Sequence, residues 1–394
     1  MKRSVQKTVW KAAAALCAAA FFLGAVCMPS AAQIAPPPQV SAKSAALLDG
    51  MTGECLYAKN GNQRALIAST TKIMTGLLVC EAGELEKNVT VPDAAVGLEG
   101  SSMYLKKGET LTRGDLLYGM MLHSGNDAAL TLAISVSGGE AAFVRQMNLR
   151  ARALGLTQTH FANPHGLDSG ENYSTALDLA HLAQAALQNA QFRLAVSTKS
   201  ITCAGRTLTN HNKLLWRYDG CIGVKTGFTN KAGQCLAAAA SKNGVELYAV
   251  VLDSTDEVQR FIDAYKLLDW GFTHYRPYTL ASAGQVLVDA PMSGFLDKTV
   301  KAGVLEEVTG MVFDFNGDIA IDVRLTDKPD GVAKGDTVGT ITWRQGENIV
   351  ASVPLVALED KMGPSPVTSV ITSLVRCVGV ITGDQCVAQS TVYA

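Results

Sequence analysis

The 394-residue chain has no excess of basic charge, no Cys-x-x-Cys pair and no group of Cys and His at metal-ligand spacing. Each absence removes a class of function. With 34 Lys and Arg against 35 Asp and Glu, the formal net charge is −1, so nucleic acid is not an expected partner. Without ligand spacing no metal is expected, and nothing in the chain calls for a cofactor. Charged residues are only 18% of the chain and hydrophobic ones 48%, which excludes a disordered polymer and is the ordinary balance of a globular enzyme. Helical and extended segments also lack a strand-helix-strand rhythm, which argues against a parallel α/β sheet.

What is present begins with a leader. Lys2, Arg3, Lys7 and Lys11 precede an apolar run from Ala12 to Met28, and Ser30, Ala31 and Ala32 offer a small-residue cleavage site. Residues 1–32 therefore read as a secretory signal peptide, and the mature chain is expected outside the cytoplasm. Its removal leaves 30 bases against 35 acids, a net charge of −5. The acidity is concentrated in Pro277–Met362, which holds 7 bases and 13 acids. Seven of the nine cysteines survive cleavage, and an odd number in an exported protein leaves at least one thiol unpaired.

Residues 33–276 mix helical and extended patterns. Ser44–Leu48 and Gly53–Ala58 read as a hairpin, Ala68–Glu81 as a helix, and Thr112 onward as a helix that breaks at Ser124-Gly125-Asn126 before a second one. Ala141–Leu154 and Ser174–Asn189 are further helices, with Ser174 and Thr175 as caps for the latter. Val224–Phe228, Gln234–Ala240 and Leu247–Leu252 read as strands, and Asp256–Trp270 as a closing helix. This predicts an α+β domain on an antiparallel sheet. From Pro277 to Met362 short apolar runs separated by Gly, Asp, Asn or Pro predict a small all-β domain. In the tail, residues 363–394, Val367, Val370, Ile371, Leu374, Val375 and Val378 recur at helical spacing and predict an amphipathic helix suited to a membrane interface.

Three short elements carry chemistry. Ser69-Thr70-Thr71-Lys72 heads a helix, which puts Lys72 on the same face as Ser69 and an amine within reach of a hydroxyl. Ser124-Gly125-Asn126 lies between helices, and Lys225-Thr226-Gly227 on a strand. Acyl transfer needs a nucleophile, a base, a proton donor for the leaving amine and donors for the oxyanion. Ser69 is the candidate nucleophile and Lys72 the base, with Lys225 as the second cation that lowers its pKa. Ser124 is the candidate proton relay and Asn126 a holder of the substrate amide. Backbone N–H groups of Ser69 and Phe228 are candidates for the oxyanion. Each element alone has a plainer reading: Ser69 as a helix cap, Ser124-Gly125-Asn126 as turn chemistry, Lys225-Thr226-Gly227 as an exposed strand end, and His123 as an incidental neighbour.

Taken in order, with Phe161-Ala162-Asn163-Pro164-His165-Gly166-Leu167 between them, these elements resemble the exported serine-type D-alanyl-D-alanine carboxypeptidases, the low-molecular-mass penicillin-binding proteins. The resemblance covers Ala45–Phe272 strongly and the rest more loosely. It implies a transpeptidase/β-lactamase-like domain followed by a β domain. The implied reaction removes the terminal D-Ala from peptidoglycan stem pentapeptides through an acyl-enzyme on Ser69, with β-lactam antibiotics as inhibitors. It also implies that Lys225, Thr226, Gly227 and Phe228 line the substrate, and that Arg260 binds its carboxylate. Ile67 and Phe228 depart from the common family pattern without removing a catalytic group. A D,D-endopeptidase would use the same residues. A β-lactamase would need a deacylating Glu that Asp168–Tyr173 does not resemble. The implied location is the outer face of the cytoplasmic membrane or the cell wall, with peripheral attachment through the tail.

Overall fold

Side chains alternate across a central antiparallel sheet, and both of its faces are buried. Its strands are β1 (Ser44–Asp49), β2 (Cys55–Lys59), β3 (Cys221–Thr229), β4 (Gly233–Lys242) and β5 (Val245–Ser254), in the order β2-β1-β5-β4-β3. The computed structural model describes residues 36–326, 328, 330–382 and 391–392; the leader expected over residues 1–32 lies outside them. Along β4, Cys235, Ala237 and Ala239 enter one core while Leu236, Ala238 and Ala240 enter the other, the period of two that an extended chain imposes. Burial on both faces explains why β4 reads as a continuous apolar run rather than as an alternation.

Helices cover the two faces unequally. On one side lie α1 (Lys72–Ala82), α2 (Arg113–Leu122), α3 (Asn126–Ser137), α4 (Glu140–Ala153), α5 (Ala176–Leu187) and α6 (Ala190–Ser197); on the other lies α7 (Glu257–His274). α1 is buried nearly all round, from Lys72 through Cys80, as expected of the central helix of a bundle. The helix expected from Ala68 starts instead as a 3-10 turn, Ala68–Thr71, with no side-chain cap. Ser69 is therefore not a capping residue. Thr175, one of the two expected caps, does cap α5 through Asp178 N at 3.0 Å. α6 was not foreseen; Asn189 caps it by accepting from Gln191 N and Phe192 N at 3.0 and 3.2 Å.

The all-β part follows α7 directly and belongs to the same compact unit, which runs from Pro38. Its strands are β6 (Tyr275–Ala281), β7 (Val286–Pro291), β8 (Thr299–Gly303), β9 (Val308–Phe313), β10 (Ile319–Leu325), β11 (Thr337–Gln345) and β12 (Asn348–Ala357). β6 pairs with β9 alone, and the others run β10-β11-β12-β8-β7, with Thr391–Val392 beside β7. Pro277 lies inside β6, opposite Met311, and a strand with a single partner tolerates its missing N–H. This part has its own core around Val288, Ile341, Trp343 and Leu355. It meets the helical part where Trp270 packs on Phe313 and Phe315, with ring centroids 5.5 and 5.0 Å apart.

The tail forms α8 (Pro366–Thr382), with Pro at the first helical position where no N–H is missed. Its polar side docks on the β part: Thr372 Oγ1 donates to Gly294 O at 3.3 Å and Arg376 Nη2 to Phe295 O at 3.4 Å. Val367, Val370, Ile371 and Leu374 are each more than half exposed. No single helix among the described residues is long and apolar enough to cross a membrane.

Candidate active site

Two glycines and a tight turn present Ser69. The chain reaches the turn through Ala65–Leu66, which pairs antiparallel with Tyr173–Ser174, and Ala68 takes φ 45°. Gly166, at φ +88°, presses so closely that a Cβ there would lie 2.0 Å from Ala68 O. A Cβ on Gly227 would lie 3.0 Å from Ile67 O and 3.1 Å from Ser69 N. Only residues without a Cβ let both backbones approach this turn. The hydroxyl of Ser69 is left between them, partly exposed.

Lys72, the first residue of α1, is fully buried. Its Nζ lies 2.9 Å from Ser69 Oγ, 2.7 Å from Asn126 Oδ1 and 2.5 Å from His165 O. A neutral amine donates two protons and accepts one. Asn126 Oδ1 and His165 O can only accept, so they take the two N–H bonds and leave the lone pair facing the Ser69 O–H. This arrangement would let Lys72 take a proton from Ser69.

Charge favours the neutral form. Burial first, and then the neighbouring Lys225 ammonium, hold the Lys72 pKa well below the ordinary lysine value, while Asp127 pulls it back upward. Asp127 is itself held by Met103 N, Leu105 N and Ser102 Oγ at 2.9, 3.1 and 2.6 Å. Lys225 is buried on β3 and donates to Thr226 O at 3.0 Å. Burial, and then Arg260, push its pKa down to about 7.

Ser124, Asn126, Thr226, Phe228 and Arg260 complete the expected set. Ser124 sits in the loop between α2 and α3, 4% exposed, at φ 63°. Asn126 opens α3; its Nδ2 donates to Glu99 O at 2.5 Å and its Oδ1 accepts from Lys72 Nζ, so its amide is tied to the protein at both ends. Thr226 is buried and Phe228 is 54% exposed. Arg260 lies on α7 with its side chain turned inward. It is 6% exposed, with Nη1 donating to Gly227 O at 3.2 Å and Nη2 3.4 Å from Glu257 Oε1. Its Nε has no partner among the described residues.

Some functional positions were not assigned a role from the sequence. His165 acts through its backbone carbonyl, which no side-chain pattern reports; burial and Lys72 push its ring to a pKa of about 4, so the imidazole is neutral. The stretch containing it enters the sequence reading only through the family resemblance. Asp127, adjacent to Asn126, anchors the Ser102–Leu105 loop. His211 had no signal at all: its N donates to Leu122 O at 3.1 Å, its ring lies 5.1 Å from that of His123, and burial first, then the Lys225 charge, push its pKa down to about 4.

Comparison with known proteins places the chain in a family. Residues 31–256 match the family model described as D-alanyl-D-alanine carboxypeptidase, and residues 275–361 that of the penicillin-binding protein 5 C-terminal domain. The chain is 33% identical over 333 residues to D-alanyl-D-alanine carboxypeptidase DacF of Bacillus subtilis, covering 81% of this chain and 85% of the relative. It is 32% identical to DacC of Escherichia coli, over 84% of this chain and 87% of that protein. Among solved structures, penicillin binding protein 5 of Haemophilus influenzae superposes with a TM-score of 0.64 at 29% identity, over 84% of this chain and all (100%) of that one. The Streptomyces K15 DD-transpeptidase gives 0.58 at 36% identity, over 61% of this chain and 100% of that one. With the expected α+β fold, the ordered motifs and these matches together, the chain belongs to the D-alanyl-D-alanine carboxypeptidase family, within the penicillin-binding proteins.

Proposed function

We propose that the chain is a serine hydrolase that removes the terminal D-Ala from peptidoglycan stem pentapeptides. Neutral Lys72 takes the Ser69 proton as Oγ attacks the carbonyl of the penultimate D-Ala, and the tetrahedral oxyanion is held by the N–H groups of Ser69 and Phe228. Ser124 passes a proton to the departing D-Ala nitrogen. Lys225, Thr226 and Arg260 face the free carboxylate, which makes the reaction a carboxypeptidase step. Water then hydrolyses the acyl-enzyme, with Lys72 again as base. The observation that carries this reading is the buried Lys72 Nζ, 2.9 Å from Ser69 Oγ, with its other two hydrogen bonds to pure acceptors. The test is D-Ala release from a pentapeptide ending in D-Ala-D-Ala; a folded protein that releases none would remove the reading.

We also propose that the mature protein works outside the cytoplasm, attached peripherally to the outer face of the membrane. What supports attachment is the exposed stripe Val367, Val370, Ile371 and Leu374 on α8, set against the docked Thr372 and Arg376. A chain ending at Met362 is expected in the soluble fraction with its activity intact, while the full mature chain sediments with membranes. Both in the soluble fraction would end the attachment proposal.

A further inference from the structure

A basic cleft opens at the end of the sheet nearest the Ser69 turn. It measures about 480 Å³ and is lined by Lys43, Lys59, Arg64 and Lys231, with Asp253 as its acid. Asp253 is taken by Lys43, whose Nζ lies 2.5 Å from Oδ2. No carboxylate among the described residues pairs with Lys59, Arg64 or Lys231. Arg64 is held in place by stacking 4.6 Å over the Tyr173 ring and by donating from Nε to Gln158 Oε1 at 2.9 Å. Lys59 Nζ donates to Val40 O at 2.8 Å. The cleft thus presents three cations with no acid partner among the described residues, Lys59 and Arg64 held by contacts and Lys231 exposed on its turn, on a chain whose overall charge is slightly negative.

Its position relative to the catalytic serine gives this charge a use. Ala65 and Leu66 form part of the wall and lead within three residues to Ser69. Lys231 sits on the turn joining β3 to β4, where Ala232 N donates to Thr229 Oγ1 at 3.0 Å. At the other end of the catalytic groove, Lys225 and Arg260 take the substrate's terminal carboxylate in the reading above. A peptide with its C-terminus there, attacked at Ser69, must carry its acyl portion past Phe228 and Thr229 toward Lys231. β3 stays extended from Gly227 to Thr229, about 7 Å at about 3.3 Å per residue, and then turns at Lys231. A peptide that follows β3 past Thr229 therefore carries its second to fourth residues upstream of the scissile bond toward the cleft.

We infer that this cleft is a specificity subsite for a carboxylate carried by the upstream part of the peptide substrate. The inference rests on the carboxypeptidase reading and extends it to the kind of peptide preferred. Because the cations are largely exposed, the preference is modest and sensitive to salt.

Two peptides ending in D-Ala-D-Ala test it, identical except that the acid three residues upstream is a free carboxylate in one and a carboxamide in the other. The wild-type protein is expected to prefer the carboxylate about 3- to 10-fold in kcat/KM at low ionic strength, through KM, with the preference fading in 0.5 M salt (about a 4 Å screening length). Lys231→Glu is expected to abolish or reverse the preference and Lys231→Gln to reduce it. Penicillin acylation, which has no upstream peptide, should stay within about twofold in both variants and so reports an intact site. An unchanged carboxylate-to-carboxamide ratio in Lys231→Glu, or no preference in the wild type, overturns the subsite. Release of D-Ala from neither peptide would instead overturn the carboxypeptidase reading, and the subsite with it.

Discussion

Asn126 Oδ1 accepts a hydrogen bond from Lys72 Nζ at 2.7 Å, linking the first residues of two helices that lie 54 positions apart in the chain. Asn126 therefore helps to set the orientation of the base. Asn126→Ala is expected to lower the rate of penicillin acylation about 10- to 100-fold, the scale of one lost strong hydrogen bond. Asn126→Asp places a negative charge beside the amine, favours the ammonium form and raises the Lys72 pKa. The acidic limb of its pH–rate profile should move to higher pH, and an unshifted limb would mean that Lys72 is not the base.

The pH profile of the wild-type protein follows from two lysines with opposite requirements. Lys72 must be neutral, so activity rises as it loses its proton. Lys225 must stay charged to meet a carboxylate, so kcat/KM for a free-acid peptide should decline as pH passes its pKa of about 7. A C-terminally amidated peptide should lack that decline. Parallel profiles for the two peptides would remove Lys225 from carboxylate recognition.

Stability has the reverse dependence. The folded-state pKa of Lys225, about 7, lies below its ordinary value of 10.5, so between these values the unfolded chain binds more protons than the folded one. Stability from this group therefore rises with pH from about 7 to 10.5, and the full cost of the buried charge is present below that window. Thermal unfolding should show a Tm that rises more between pH 7 and 9 in the wild type than in Lys225→Met. Equal rises would place the effect elsewhere.

Gly166→Ala would put a methyl group 2.0 Å from Ala68 O at a residue with φ +88°. A loss of about 2 kcal/mol or more and at least about tenfold slower acylation are expected. Gly170, in the same loop, has nothing within 4 Å of a Cβ position. Gly170→Ala should therefore be nearly neutral in Tm and in acylation. Similar effects from both substitutions would mean that the loop, and not the contact beneath Ser69, is what matters.

Arg260 reaches the groove through Gly227 O at 3.2 Å. Arg260→Ala should reduce kcat/KM for a free-acid pentapeptide by about 1.5–3 kcal/mol while largely sparing the amidated peptide. Equal losses on both would assign Arg260 to support of β3 alone.

How far the sequence revealed the site depended on how local each signal was. Ser69 and Lys72 were legible because four residues of one turn carry both, and Ser124-Gly125-Asn126 because it interrupts two helical patterns. The 3-10 character of the Ser69 turn was not legible, since it follows from the close packing of Gly166 and Gly227 against Ala68 and Ile67. The His165 carbonyl and the His211 ring were hidden for a similar reason: only the folded chain brings Lys72 to the His165 carbonyl, 93 positions away, and the His211 ring to that of His123. The inward turn of Arg260 on the amphipathic α7 was not legible either, since it depends on the Gly227 carbonyl that its guanidinium meets. In the β part, β6 crosses the boundary expected at Pro277, and its single neighbour is what lets that proline stand.

Mass spectrometry of the mature protein after exposure to penicillin tests the central claim, nucleophilic attack by Ser69 assisted by Lys72, most directly. One covalent adduct on the peptide containing Ser69 is expected, absent in Ser69→Ala and formed at least about 100-fold more slowly in Lys72→Ala. An adduct of equal yield in Ser69→Ala, or one formed at the wild-type rate in Lys72→Ala, would contradict it.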